Sequence, residues 1–144
     1  MKTFALRDGD LVLSGDRYAM VEGVARVQQQ IGLCLREPFG ADRFHDRWGS
    51  VLPTWIGRVI EAGVDLEVRS EVIRVIKNFI RSQDDAVRSR AVRGLRPVIT
   101  AEEMITDVTD IRVEQRDDAL LVKVTLRTGS SKSFSIVTSP GRDS

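Results

Sequence analysis

The chain of 144 residues holds one cysteine, Cys34, and one histidine, His45. A lone cysteine excludes an internal disulfide, and one Cys with one His falls short of the usual zinc ligand set. Cys34 stands in the apolar run Ile31-Gly32-Leu33-Cys34-Leu35, so it reads as a small buried hydrophobe rather than a reactive thiol. Charge of one sign is lacking too. The 22 basic and 21 acidic groups leave a net charge of +1, without the basic excess of a dedicated nucleic-acid binder. No apolar run approaches a membrane span, and the N-terminus lacks the charged, apolar and cleavable layout of a signal peptide. The expectation is a soluble protein made in the cytosol, of one-domain size, with neither cofactor nor metal.

Aromatic residues make up 6% of the chain, which draws attention to Arg36–Gly57, "REPFGADRFHDRWGSVLPTWIG". This stretch carries both tryptophans and the histidine. Before it, the chain reads as a loose arm over residues 1–9 and a hairpin near 10–22, turning at Ser14-Gly15-Asp16. Val24, Val27, Ile31 and Leu35 then fall at helical spacing, and Pro38 stops that helix near Glu37. A short helix over 50–63 is expected, capped by Ser50 or Thr54 and ended by Gly63. The strongest helix signal is Val68, Val72, Ile73, Val75, Ile76, Phe79 and Ile80, with Glu71, Arg74, Lys77, Asn78 and Arg81 opposite. A face so wide predicts burial against both a sheet and another helix. Ser82 or Asp84 marks a further helix that runs to Gly94.

After Pro97 the pattern turns to strands at 107–115, 119–128 and 132–138, with turns at Arg116-Asp117-Asp118 and Gly129-Ser130-Ser131. Leu120, Val122, Val124 and Leu126 share one side, against Leu121, Lys123, Thr125 and Arg127 on the other, as in a half-buried antiparallel sheet. No internal repeat is evident, and the tail 139–144 reads as disordered. The fold class is α+β: an N-terminal β-hairpin, three to four helices and a C-terminal antiparallel meander forming one small mixed sheet, in a single domain over 10–138.

Catalytic patterns are weak. His45 has Asp46 beside it in sequence, but no Ser stands in a nucleophile elbow. Glu37 with Asp42 or Asp46 would have to act as an acid of raised pKa and a second carboxylate across a sugar cleft. A domain this small leaves little room for such a cleft. Trp48 and Trp55 read as wedges that hold the loop to the core, and no glycine spacing forms a phosphate cradle. The basic cluster Lys77, Arg81, Arg88, Arg90, Arg93 and Arg96, flanked by Asp84, Asp85, Glu102 and Glu103, stands above background. It is either a solvated charged face or a docking face for an acidic partner; nucleic acid is the third option.

Taken in order, Asp10, Val21-Glu22-Gly23, Gln29, Gly40 with Asp42, and Trp48-Gly49-Ser50 resemble the layout of baseplate wedge proteins of contractile phage tails. That family includes the phage W-protein, the sheath initiators of phage-like injection systems and the related wedge subunit of type VI secretion. The likeness covers roughly residues 10–138 and rests on the order of many pieces rather than one sharp signature. It implies a non-enzymatic part of a virion tail baseplate, assembled in the host cytoplasm. Such a part docks on a helical bundle of other wedge proteins around the tail hub or tube and forms a ring of copies. It templates the first ring of the tail sheath protein by accepting extended strands on its sheet, with no role for membrane or nucleic acid. The strand at Lys132, Phe134, Ser135 and Ile136 is the implied acceptor edge, and the 10–14 strand is a second candidate. The family's Glu-Pro-Arg docking motif is replaced here by Arg93-Gly94-Leu95-Arg96-Pro97, which nominates Arg93, Arg96 and Pro97 for that contact. Some relatives carry a lysozyme label, so a small cell-wall hydrolase is the alternative reading.

Overall fold

In the computed structural model, two helices lie on one face of a three-stranded antiparallel sheet, an α+β arrangement. The structure describes residues 2–7, 10–45, 47–55, 64–116 and 119–138. Six short strands come first: β1 (Lys2–Phe4), β2 (Leu6–Arg7), β3 (Asp10–Leu11), β4 (Leu13–Ser14), β5 (Arg17–Tyr18) and β6 (Met20–Glu22). They are followed by α1 (Gly23–Arg36), a 3-10 turn (Leu52–Trp55), α2 (Val64–Val92), and the sheet strands β7 (Ile105–Arg116), β8 (Ala119–Thr128) and β9 (Ser133–Thr138).

The expected hairpin tip forms, with Leu13 opposite Tyr18 and Ser14 opposite Arg17. The loose arm does not. Residues 2–4 pair with β6, and β2 pairs with β3. Three two-stranded arms result, and they meet at Ala5, Val12 and Ala19. There Ala5 N–H donates to Ala19 O (2.8 Å), Ala19 N–H to Val12 O (2.7 Å) and Val12 N–H to Ala5 O (3.1 Å), a closed triangle. The junctions Ala5, Val12 and Ala19 therefore recur every seven residues, where side-chain identities conceal any repeat. Gln29 of α1 fastens this leaf, donating to Phe4 O (2.8 Å) and accepting from Leu6 N–H (2.9 Å). The short strands do not join the C-terminal sheet, which is wholly antiparallel rather than mixed.

Of the expected α1 stripe, Val27, Ile31 and Leu35 are fully buried, with Cys34 beside them, and Val24 is half-buried. Glu37 is extended (ψ 134°) ahead of Pro38, ending the helix. The two helices expected over 65–94 are one continuous α2, so the described helices number two rather than three or four. Its 29 residues span about 43 Å. No Gly or Pro interrupts residues 64–93, and the supposed cap region is held inside. Gln83 is buried, its amide donating to Glu103 O (2.7 Å) and accepting from Ile105 N–H (3.0 Å). On α2, Val68, Val72, Val75, Ile76 and Phe79 enter the core, whereas Ile73 is exposed and Glu71 buried, the reverse of the expected assignment. Helix 50–63 is described only to Trp55; the rest of it, the Trp55 side chain and the 139–144 tail lie outside the described residues. Ser50 does cap the 3-10 turn, accepting from Leu52 N–H at 3.3 Å.

The core closes with Ile105, Ile111, Val122, Val124, Leu126 and Ile136 from the sheet. α2 packs on β7 and α1 on β9. One ion pair runs through this body. Arg26 and Glu103, 3% and 2% exposed, meet at 2.6 Å from Nη2 to Oε2 and at 3.0 Å from Nε. Gln30 accepts from Arg26 and Thr100 donates to Glu103, so both charges are further satisfied. Glu103, expected on the solvated face beside the basic cluster, is instead the clamp between α1 and the start of β7. Burial pushes its carboxyl up, but the bonds from Arg26 and Thr100 outweigh burial and hold it below the ordinary range.

Candidate functional site

The loop from Glu37 to Val51 is a connector fixed at many points. Ser50 Oγ donates to Leu35 O (2.7 Å), Ser50 N–H to Glu37 O (2.8 Å) and Phe39 N–H to Ser50 O (3.0 Å). Gly49 has φ +93°, and a Cβ there would stand 2.6 Å from Pro38 O, so glycine is required. Arg74 donates to Gly49 O (3.1 Å), pairs with Glu71 (2.6 Å) and lies 4.8 Å over the Phe39 ring. Trp48 packs against the core, as expected of a wedge.

Of the groups nominated for chemistry, His45 and Asp42 are bonded to each other. His45 is exposed and bonded through Nδ1 to Asp42 (2.9 Å), whose other oxygen accepts from Phe44 N–H (2.8 Å). Those bonds draw the Asp42 carboxyl down. In Glu71, burial pushes the carboxyl up and the bonds from Arg74 and Val51 N–H pull it further down. Asp46 lies outside the described residues. Burial pushes the Cys34 thiol up, so it is held protonated beside a depression of about 280 Å³ that Phe44, Trp48 and Phe79 also line. Among the described residues, no group of three or more His, Cys, Asp or Glu is placed to hold a metal. No described helix is long and apolar enough to cross a membrane.

The sheet has two outer strands of different construction. β7 carries two bulges, between Ile105 and Asp107 and between Val108 and Asp110. The extra residues are threonines whose hydroxyls replace the lost ladder bonds: Thr106 donates to Arg127 O and Thr109 to Thr125 O, both at 3.2 Å. Its exposed positions include Asp107, Asp110, Arg112 and Glu114. Bulges and charges are the usual defences of an edge. β9 reads Ser133-Phe134-Ser135-Ile136-Val137-Thr138, with no charge, no proline and an unbroken register against β8.

The phase of the β8–β9 ladder follows from its turn. Ser131 takes φ +62°, Ser131 N–H donates to Thr128 O (3.0 Å), and Thr128 N–H donates to Lys132 O (2.8 Å). Thr128 and Lys132 therefore form a hydrogen-bonded pair. Alternation makes Leu126–Phe134 and Val124–Ile136 hydrogen-bonded pairs as well. The N–H and C=O groups of Ser133, Ser135 and Val137 point to the open side. Of the four nominated acceptor residues, Ser135 alone offers such backbone. Phe134 and Ile136 turn their side chains into the core, and the Lys132 ammonium pairs with Glu102 (2.7 Å). One residue missed from the sequence sits on this edge: Gln28 of α1 donates to Ser135 O at 3.1 Å. The other nominated edge, 10–14, is absorbed into two arms of the N-terminal leaf.

Arg93, Arg96 and Pro97 are brought together at the end of α2, where residues 84–97 are largely exposed. Gly94 (φ +70°) closes the helix: Leu95 N–H reaches Arg90 O (2.9 Å) and Gly94 N–H reaches Ala91 O (3.0 Å). Arg90 Nε donates to Arg96 O (2.7 Å), fixing the turn. Val92 and Leu95 are exposed beside these arginines. Since Glu102 and Glu103 pair with Lys132 and Arg26, they do not neutralise the cluster. Comparison with models of protein families, with curated proteins and with solved structures finds no match to this chain.

Proposed function

We propose that this chain is a non-enzymatic component of a contractile tail baseplate that starts sheath assembly by accepting a sheath strand along β9. The observation that carries the reading is the contrast between a defended β7 and an undefended β9. An arriving strand would pair with the outward groups of Ser133, Ser135 and Val137 and displace the Gln28 amide from Ser135 O. Each added backbone bond contributes about 1 kcal/mol net. A single contact is therefore modest, and a ring of copies multiplies it. The exposed end of α2, with Arg93, Arg96 and Pro97 beside Val92 and Leu95, suits docking on the other wedge proteins, its charge setting orientation.

The test is proline at Ser135, whose N–H points away from β8. The Ser135→Pro protein is expected to fold and to enter baseplates, and those baseplates to seed no sheath. Normal sheath polymerisation from such baseplates would remove β9 as the acceptor.

A further inference from the structure

Between α2 and the connecting loop lies the depression of about 280 Å³ that reaches in to the buried Cys34. Its helical wall is Val75, Asn78, Phe79 and Ser82, spaced by three and four residues on one face of α2. Its loop wall is Phe44, Trp48 and the backbone of Gly49. Three aromatic rings and the buried Val75 and Cys34 therefore line a space that the described residues leave open. The walls are already in place. Phe44 N–H donates to Asp42 (2.8 Å), Trp48 N–H to His45 O (2.9 Å) and Gly40 N–H to Trp48 O (3.2 Å). Phe44 is thereby held at the rim, 92% exposed, on a loop tied on both sides of it. A preformed site loses less to ordering when a ligand enters.

Size and lining select the occupant. An apolar cavity of roughly 150 Å³ holds one benzene ring, so this one admits a ring with a second fused ring or a short substituent. It falls below the roughly 300–1,000 Å³ of pockets that take drug-sized ligands. Aromatic walls favour a planar guest, packed edge-to-face or offset. One polar group is left for that guest: among the described residues the half-buried Asn78 amide has no hydrogen-bond partner, and it can both donate and accept. His45, Arg47 and Ser82 are exposed and stand at the mouth, where His45 is bonded to Asp42 and Asp46 lies outside the described residues. Recognition therefore rests on ring shape and on Asn78 rather than on charge. We infer that this depression binds a neutral, planar aromatic group of phenol or indole size, with one hydrogen-bonding atom turned to Asn78. A free small aromatic and a tyrosine or tryptophan side chain of another polypeptide share that chemistry. The site is separate from β9 and does not depend on the strand-acceptor reading.

Titration of the isotope-labelled whole chain with indole, followed by amide NMR spectra, is the test. The expected result is saturable shifts confined to the Asn78 side-chain amide, the Trp48 ring N–H and Gly49, with a dissociation constant on the order of 1 mM or tighter. N-methylindole keeps the rings and lacks the N–H, so it should bind several-fold more weakly, and in Asn78→Ala the two should bind equally. N-acetyltryptophanamide separates the sources. Affinity equal to that of indole or better assigns the site to a side chain of another polypeptide, and a loss of at least about tenfold assigns it to a free small molecule. No saturable shift with indole at concentrations on the order of 10 mM would overturn the inference. So would shifts centred elsewhere, or equal affinity for indole and the non-planar cyclohexanol. The indole titration needs no variant, so it decides the matter even if Asn78→Ala fails to fold.

Discussion

β7 and β9 are outer strands of the same sheet, yet they treat their open sides oppositely. β7 carries two bulges, its lost ladder bonds are refilled by Thr106 and Thr109, and its exposed positions include four charged residues. Its first residue, Ile105, is tied through Gln83 to Glu103 and the buried Arg26 pair. β9 is regular and uncharged, and on its open side Gln28 donates to Ser135 O. The difference shows that edge protection is present on one outer strand and absent from the other, which under the proposed function leaves β9 open to an arriving strand.

The largest effect should come from cutting the anchor of β7. Glu103→Gln leaves Arg26 buried without its counter-charge and is expected to cost about 3–5 kcal/mol in urea unfolding. The double change Arg26→Met with Glu103→Leu should recover most of that loss. The pH dependence has a definite sign. The folded Glu103 carboxyl lies below its ordinary 4.5, so its contribution is complete above that value and is lost as pH falls below it. Glu103→Gln should therefore flatten the acid limb of the stability curve.

A smaller and sharper contrast comes from proline on β9. At Ile136 it removes a ladder bond to β8 and disturbs a buried side chain, and should cost about 3 kcal/mol or more. At Ser135 the N–H is outward, and the cost should stay under about 1 kcal/mol. Equal costs at both positions would mean that the ladder has the other phase. The smallest effect is expected from Gln28→Ala, a loss of no more than about 1 kcal/mol. It should strengthen strand addition, because Ser135 O no longer has to be vacated; weaker addition would give Gln28 a recruiting role instead.

Much of this body was legible in the sequence because periodicity is local. The Val27, Ile31, Leu35 stripe, the Val122, Val124, Leu126 alternation and the stop at Pro38 each depend on residues a few positions apart. The single α2 was hidden because Ser82, Asp84 and Asp85 imitate a helix start. What keeps the helix whole is Gln83, whose partners lie 20 and 22 residues downstream. The Arg26–Glu103 clamp joins positions 77 residues apart, with no pattern to announce it. The leaf was missed because each strand is two or three residues long, too short for alternation to register. β9 was found as a strand, but which of its residues face outward required the turn geometry at Ser131.

Amide hydrogen exchange along β9, measured residue by residue before and after assembly with the sheath subunit of the same particle, tests the open edge most directly. In the free protein, Ser133, Ser135 and Val137 should exchange fast while Phe134 and Ile136 are protected. On assembly the three fast amides should slow by orders of magnitude, with the other two unchanged. If those three amides exchange as fast in the assembled particle as in the free chain, no foreign strand lies along β9 and the account is wrong.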